Sequence, residues 1–146
     1  MSHFYTVVLV EKDCQDIEKR VAELLAPYDE NILDYNPRSK WDWWVIGGRY
    51  DGVITGNYQS SYNGFNFGAQ HQTLQNNIVD IEELIDNYDR YPFAIVTPKG
   101  EWFERGEMGW FGCVSNEKEN DLWESQCKAI LNTYKDCLAV GCDLHI

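Results

Sequence analysis

Positive charge is scarce in this sequence: 12 lysine and arginine residues stand against 24 aspartate and glutamate residues in a chain of 146, for a net charge of −12. A field of that sign repels nucleic acids and anionic membranes, so we expect neither as a direct partner. The acidity itself leaves two interpretations open. It either keeps the protein in solution or forms a surface that imitates nucleic acid and engages a basic host protein.

Long hydrophobic runs and recognisable cysteine patterns are absent as well. No apolar stretch reaches 18 residues and no leader segment precedes the first apolar run, so we expect a cytoplasmic protein. The five cysteines include no Cys-x-x-Cys pair, which favours free thiols over a zinc site. The Walker A, Gly-x-Gly-x-x-Gly, Gly-x-Ser-x-Gly and His-Glu-x-x-His patterns are also missing, and we predict no metal and no cofactor.

Charged residues are missing from one internal segment, residues 52–79, which is rich in Gly, Asn, Gln, Ser, Tyr and Phe. Such a composition does not easily form an amphipathic helix or strand. It predicts either a long loop or an aromatic lid over the tryptophan-rich segment that precedes it.

The rest of the sequence alternates between strand and helix patterns. The β-branched and aromatic run His3–Val10 predicts a buried strand, and a helix should follow from a cap at Asp13 until Pro27. A short helix is predicted to begin near residue 81. Residues 93–97 and 101–104 then predict a hairpin.

The C-terminal part predicts a further helix and a last strand. Ser115 is a suitable N-cap for the helix. Residues 138–146 alternate in polarity, which puts Asp143 and His145 on one face of a strand. The apolar stripe of the helix is predicted to consist of Leu122, Trp123, Cys127, Ile130, Leu131 and Tyr134.

This order of elements predicts an α+β fold of the ferredoxin-like kind in one domain, residues 1–146. In that arrangement two main helices lie on one face of an antiparallel sheet, and a long insertion at about residues 28–80 follows the first helix. The other sheet face, left uncovered, makes a homodimer possible.

The insertion carries the densest aromatic cluster of the chain. Trp41, Trp43 and Trp44, three of the six tryptophans, fall within four positions. Alternation along a strand would send Trp41 and Trp43 to one face and Trp44 to the other. We therefore expect two layers, of which one anchors the insertion to the core and the other faces a ligand.

Three blocks together resemble a known family: KWDW followed by IGGR at residues 40–49, a T-P-x-G-E-W-x-E-x-G-x-M-G-W-F-G block at residues 97–112, and a His-Ile ending. The combined pattern is similar to a family of small proteins of bacteriophage and of actinobacterial or plasmid genomes, for which no common activity is established. Members end Asp-Cys-His-Ile, whereas this chain ends Cys-Asp-Leu-His-Ile, with Asp and Cys exchanged and one residue added. The resemblance implies a mobile-element protein that works in the host cytoplasm.

The same blocks supply a candidate ligand site. Indole rings can stack on a nucleobase for about 1–3 kcal/mol per base, and arginines such as Arg49 and Arg105 can hold a phosphate through two parallel hydrogen bonds. The alternative is that the cluster only packs a loop against the sheet, with its arginines paired to acidic neighbours. The predicted ligand-binding residues are Lys40, Trp41, Trp43, Trp44, Gly47, Gly48, Arg49, Arg105, Trp110 and His145.

Catalysis has weaker support in the sequence, and no catalytic residue is assigned. His145 is the one candidate for a general acid or base, with Asp143 as a neighbour of suitable chemistry. A histidine in such a position is more often structural. His3 begins a strand and His71 lies in the uncharged segment, so neither adds a second candidate.

Three hypotheses of different class follow. The first is a non-enzymatic protein that sequesters a small anionic, nucleotide-like ligand, a role suited to counter-defence. The second is an acidic protein-protein inhibitor or nucleic-acid mimic with a basic host partner. The third is a phosphodiesterase or nuclease that acts on a small nucleotide.

Overall fold

A mostly antiparallel sheet with helices forms the α+β fold of the computed structural model, which describes residues 2–32, 35–57, 74–86, 90–108 and 113–146. Short 3₁₀ helices lie at Ala26–Tyr28, Gly48–Tyr50 and Leu74–Asn77. In chain order the other elements are β1 His3–Val10, α1 Ile17–Leu25, β2 Trp43–Ile46, β3 Ile78–Asp80, α2 Ile81–Asp86, β4 Ala94–Val96, β5 Trp102–Glu104, β6 Glu107–Met108, β7 Val114–Ser115, α3 Asn120–Thr133 and β8 Leu138–His145.

The sheet is centred on the first and last strands of the chain. Its order is β2-β8-β1-β4-β5, and β3 also pairs with β8. All pairings in it are antiparallel except that of β1 with β4. β1 and β8 pair along their full lengths, from His3 opposite His145 to Val10 opposite Leu138. This pairing brings the two ends of the described chain together.

The helices cover both faces of the sheet, so the predicted arrangement of two main helices on one face is wrong. Val8 belongs to the core layer that contains Leu25 of α1, whereas the next residue, Leu9, belongs to the layer that contains Trp123 of α3 and Ile81 of α2. The reason lies in β1, which is apolar at successive positions and needs cover on both sides. We call the two sides the α1 face and the α3 face. Among the described residues both sheet faces carry helices, so the uncovered face on which the possible homodimer was based is not found there.

Several predicted elements are confirmed, with shifted helix starts. The strand at His3–Val10 and the hairpin of β4 and β5 form as expected. α1 begins later than predicted, because Asp16 rather than Asp13 caps it, accepting a hydrogen bond from the Lys19 N–H at 3.1 Å. α3 begins at residue 120, since Ser115 pairs with Glu107 in the small β6-β7 ribbon.

The last strand has the predicted division of its faces. Cys142 and Leu144 pack in the α1 layer, while Asp143 and His145 lie on the α3 face. Leu122, predicted as part of the buried stripe of α3, is 60% exposed instead. Its neighbour Trp123 is the residue that points inward.

All five thiols are free, and their surroundings differ. Cys127 and Cys142 are buried, and burial raises the pKa of Cys127 to about 12. They therefore serve as small core residues, as predicted. Cys113 is exposed. Within the described residues, no helix is long and apolar enough to cross a membrane.

Trp41 anchors the segment before β2 to the α1 face. Its indole is 7% exposed, and Nε1 donates a hydrogen bond to the carbonyl oxygen of Leu25 at 2.9 Å. Trp44 packs against the same layer, whereas Trp43 is 47% exposed. The two predicted layers of indoles therefore exist, but Trp41 and Trp43 lie in different layers, contrary to the prediction. β2 begins only at Trp43, so strand alternation does not extend back to Trp41.

We expect the conservative change Trp41→Phe to lower the free energy of unfolding by about 1–3 kcal/mol, because it removes a buried hydrogen bond and packing volume. The matched change Trp43→Phe should alter it by less than about 0.5 kcal/mol, since this side chain is half exposed. Urea denaturation followed by circular dichroism measures both values. Equal losses would contradict the different roles assigned to the two indoles.

Candidate functional site

Three aromatic side chains from neighbouring strands meet at one end of the sheet. Trp43 of β2 pairs with His145 of β8, which pairs with His3 of β1. Residues opposite one another in adjacent strands project from the same face, here the α3 face. The ring centroids of the two histidines are 5.0 Å apart, and those of His3 and Trp43 are 5.8 Å apart. The site is therefore assembled by strand register.

Each histidine is held by its own carboxylate. His3 Nδ1 lies 2.7 Å from Asp143 Oδ1, and His145 Nδ1 lies 2.7 Å from Asp42 Oδ1. An ionised carboxylate only accepts hydrogen bonds, so Nδ1 carries the proton in both pairs. Nε2 is then the atom that each imidazole offers for chemistry. The two side chains are partly exposed, at 18% for His3 and 16% for His145.

The two carboxylates lie in different environments. The Asp143 side chain is 1% exposed, and its second oxygen, Oδ2, accepts the backbone N–H of Arg49 at 2.9 Å. The Asp42 side chain is 33% exposed. Asp143 is therefore a fixed part of the core, while Asp42 borders solvent.

The paired glycine makes room for the buried carboxylate. Gly47 and Gly48 both have positive φ angles, 81° and 58°. A Cβ atom on Gly48 would lie 2.5 Å from the Cβ of Asp143, closer than van der Waals contact allows. The turn thus approaches Asp143 through a residue without a side chain, and this approach aligns the next N–H, that of Arg49.

Half of the predicted ligand-binding residues come together at this end of the sheet. Arg49 is exposed, and its guanidinium has no ion pair among the described residues. It is available to an anion. The five residues that converge here are Trp43, Gly47, Gly48, Arg49 and His145.

Lys40 and Arg105 lie elsewhere. Lys40 Nζ forms an ion pair with Glu104 of β5 at 2.9 Å, at the sheet edge opposite β2. Arg105 Nε lies 3.0 Å from Glu117 Oε1, without the alignment of a hydrogen bond, and its guanidinium stacks over Phe93. These cations satisfy neighbouring acids, which is the alternative that the sequence left open.

Two of the predicted indoles, Trp41 and Trp44, are also outside the converging group. Trp41 and Trp44 belong to the α1 layer, as described above. Trp110, predicted to help close the site, lies outside the described residues. The predicted site is therefore divided between the two faces of the sheet.

Sequence reasoning missed His3 and assigned Asp143 to the wrong histidine. Asp143 bonds His3, and His145 bonds Asp42, a member of the tryptophan segment. The feature of the sequence that could have revealed His3 is the antiparallel pairing of the first and last strands, which places His3 opposite His145.

A separate cleft of about 530 Å³ lies farther along the α3 face, between β3, α2 and residues 53–56. Tyr5 lines it, but the Tyr5 hydroxyl is buried without a hydrogen-bond partner among the described residues, and burial raises the pKa of this phenol above its usual range. The hydroxyl is therefore out of reach of a ligand in the cleft. Neither histidine lines the cleft, so it does not form part of the candidate site.

Comparison with protein-family models, curated proteins and solved structures finds no match to this chain.

We expect Gly48→Ala to destabilise the protein by about 1–3 kcal/mol more than Gly100→Ala. Both glycines have positive φ angles, so both variants carry the cost of about 1–2 kcal/mol for an L side chain in that region. Only the variant at position 48 also displaces Asp143, since a Cβ on Gly100 meets no atom within 4 Å. Chemical denaturation of the two variants tests this, and equal destabilisation would show that Asp143 does not constrain the turn.

Proposed function

We propose that the α3-face end of β2, β8 and β1 binds a small anionic, nucleotide-like ligand. The observation that carries this proposal is a half-exposed indole beside two carboxylate-held imidazoles. Trp43 is 47% exposed and its ring centroid lies 5.8 Å from that of His3. An exposed indole on a rigid strand offers a stacking surface, and base stacking on such a surface contributes about 1–3 kcal/mol.

Arg49 supplies the charge that the proposal needs. Its backbone is fixed by the hydrogen bond to Asp143, while its exposed guanidinium forms no ion pair in the described part of the chain. Lys40 and Arg105 are less suited to this role because acidic side chains already neutralise them. The proposed site is thus smaller than the site predicted from the sequence, and it includes His3.

Two wider roles, sequestration of the ligand and inhibition of a host protein, are proposed on grounds other than the geometry of the site. Sequestration of such a ligand in counter-defence rests on the resemblance to mobile-element proteins. An acidic inhibitor of a basic host protein rests on the net charge of −12. A complex formed through charge alone would dissociate as salt rises, which a pull-down from host lysate at increasing ionic strength would reveal.

Isothermal titration calorimetry with a panel of linear and cyclic nucleotides, with and without divalent cations, tests the proposed binding. We expect at least one nucleotide to bind. Trp43→Ala should weaken its affinity about 10-fold or more through the loss of stacking. Arg49→Ala should weaken it to a similar extent through the loss of a charge-assisted hydrogen bond.

Arg105→Ala is the matched control, because this arginine lies over Phe93 on the α1 face. It should leave the affinity unchanged. Absence of binding throughout the panel, or equal losses for the Arg49 and Arg105 variants, would contradict the proposal.

A second candidate function is cleavage of a bound phosphodiester, and the two His–Asp pairs favour it. Carboxylate-bound imidazoles recur in hydrolytic sites, because the carboxylate fixes the ring orientation and the tautomer. His3 and His145 both have this arrangement. Both imidazoles are partly exposed, so a bound phosphodiester could reach them.

Incubation with cyclic mono- and dinucleotides, followed by chromatography of the products, tests for cleavage. We expect His145→Gln to reduce turnover by about 100-fold or more, in line with the loss of a catalytic imidazole. The control Lys40→Gln, whose ion pair lies at the opposite sheet edge, should retain turnover. Intact substrates with the wild-type protein would leave binding as the only activity and would rule out this candidate.

A further inference from the structure

Nε2 is the ring nitrogen of His3 and of His145 that the carboxylates do not contact. With Nδ1 donating to a carboxylate, Nε2 of a neutral imidazole presents a lone pair, which is an acceptor. A phosphate oxygen is an acceptor as well. The natural complement of two adjacent lone pairs is a cation that both can coordinate.

The separation of the two rings fits a shared ion. Zinc binds imidazole nitrogens at about 2.0–2.1 Å, so two imidazoles on one tetrahedral ion have centroids roughly 5 Å apart. The centroids of His3 and His145 are 5.0 Å apart, with the ring planes at 75°. The strands hold this spacing, because the two residues are directly opposite in the β1-β8 pairing.

The surroundings of the two histidines are those of metal ligands. Metal-binding histidines usually donate their second ring N–H to a carboxylate or a carbonyl, which orients the ring and makes the other nitrogen a better ligand. Asp143 and Asp42 make this contact at 2.7 Å on each side. The Asp143 side chain is 1% exposed, so the carboxylate that orients His3 is held within the core.

Local charge also favours a cation. The groups that contact the histidines or their carboxylates are two acids, Asp42 and Asp143, and one base, Arg49, through its backbone. A divalent ion would reverse the balance and offer open coordination positions to a phosphate oxygen.

We propose that His3 Nε2 and His145 Nε2 together bind one divalent transition-metal ion of the Zn²⁺ class. No cluster of three or more metal-ligating side chains occurs in the described ranges, so the ion would have two protein ligands here and open positions for water or ligand oxygens. The inference goes beyond the proposed function, and only the role of the ion toward an anionic ligand rests on that function.

Zn²⁺ alone, added to the metal-free full chain without any nucleotide, is the test. Calorimetry should give one site per chain, and ¹H–¹⁵N spectra of the imidazoles should show that Nε2 of His3 and His145 shifts while Nδ1 keeps its proton. We expect His145→Gln to weaken Zn²⁺ binding at least 10-fold. Asp42→Asn should weaken it about 10- to 100-fold, the usual effect of losing the carboxylate behind a metal ligand.

Controls separate this site from general attraction to an acidic protein. Asp80→Asn removes a carboxylate that pairs with Lys12, away from the histidines, and should leave Zn²⁺ affinity unchanged. His3→Gln can weaken folding because it leaves Asp143 buried without its imidazole, so the variants at positions 42 and 145 decide the outcome. Imidazole signals that do not move, or equal affinities for the Asp42 and Asp80 variants, would overturn the metal site.

The two proposals fail separately. Zn²⁺ binding without nucleotide binding, under any condition of the panel, would remove the proposed function and leave the metal site. Nucleotide binding, together with imidazole signals that do not shift when Zn²⁺ is added, would rule out the metal site and leave the proposed function.

Discussion

The buried carboxylate of Asp143 is the constraint on which the arrangement of three chain segments depends. A carboxylate taken out of water must accept hydrogen bonds, because removal of one partner from a buried charge costs about 3–5 kcal/mol. Here one oxygen faces the imidazole of His3 on β1 and the other accepts the N–H of Arg49 in the turn after β2. A single side chain of β8 therefore fixes the positions of both neighbouring strands. The buried Asp143 carboxylate also explains why the turn contains Gly48, whose missing Cβ leaves the space that the carboxylate occupies.

The second pair, His145 with Asp42, has the same hydrogen-bond length but a different setting. The Asp42 side chain is 33% exposed, so this carboxylate retains part of its hydration and depends less on its partner. The site thus combines one rigid pair, which belongs to the core, with one pair at the solvent boundary. Trp43 lies beside the rigid histidine, so its stacking surface is also held in a defined orientation.

Local pattern predicted much of the fold and only part of the site. β1 could be predicted because its residues are mostly β-branched or aromatic, and the faces of β8 follow from simple alternation. The placement of the helices failed because it was taken from the order of the elements, whereas the successive apolar residues of β1 require cover on both faces. The site depends on register: His3 and His145 are far apart in sequence and become neighbours only through antiparallel pairing of the first and last strands. Lys40 and Arg105 were chosen by charge alone, and sequence spacing gives no information about the acids that neutralise them.

The net charge of −12 need not prevent this site from holding an anion. At physiological ionic strength, charges farther away than about 8 Å are largely screened, so the groups in direct contact with a ligand decide its affinity. The distant acidic residues mainly slow the approach of an anion. The charged groups near a bound ligand are two carboxylates and Arg49. Their net charge is close enough to zero that one added divalent cation makes it positive. The same two carboxylates that disfavour an anion hold the imidazoles in the tautomer that binds a cation. The acidic environment and the proposed metal are therefore parts of one arrangement, in which the carboxylates prepare the ligands for the ion that offsets their charge.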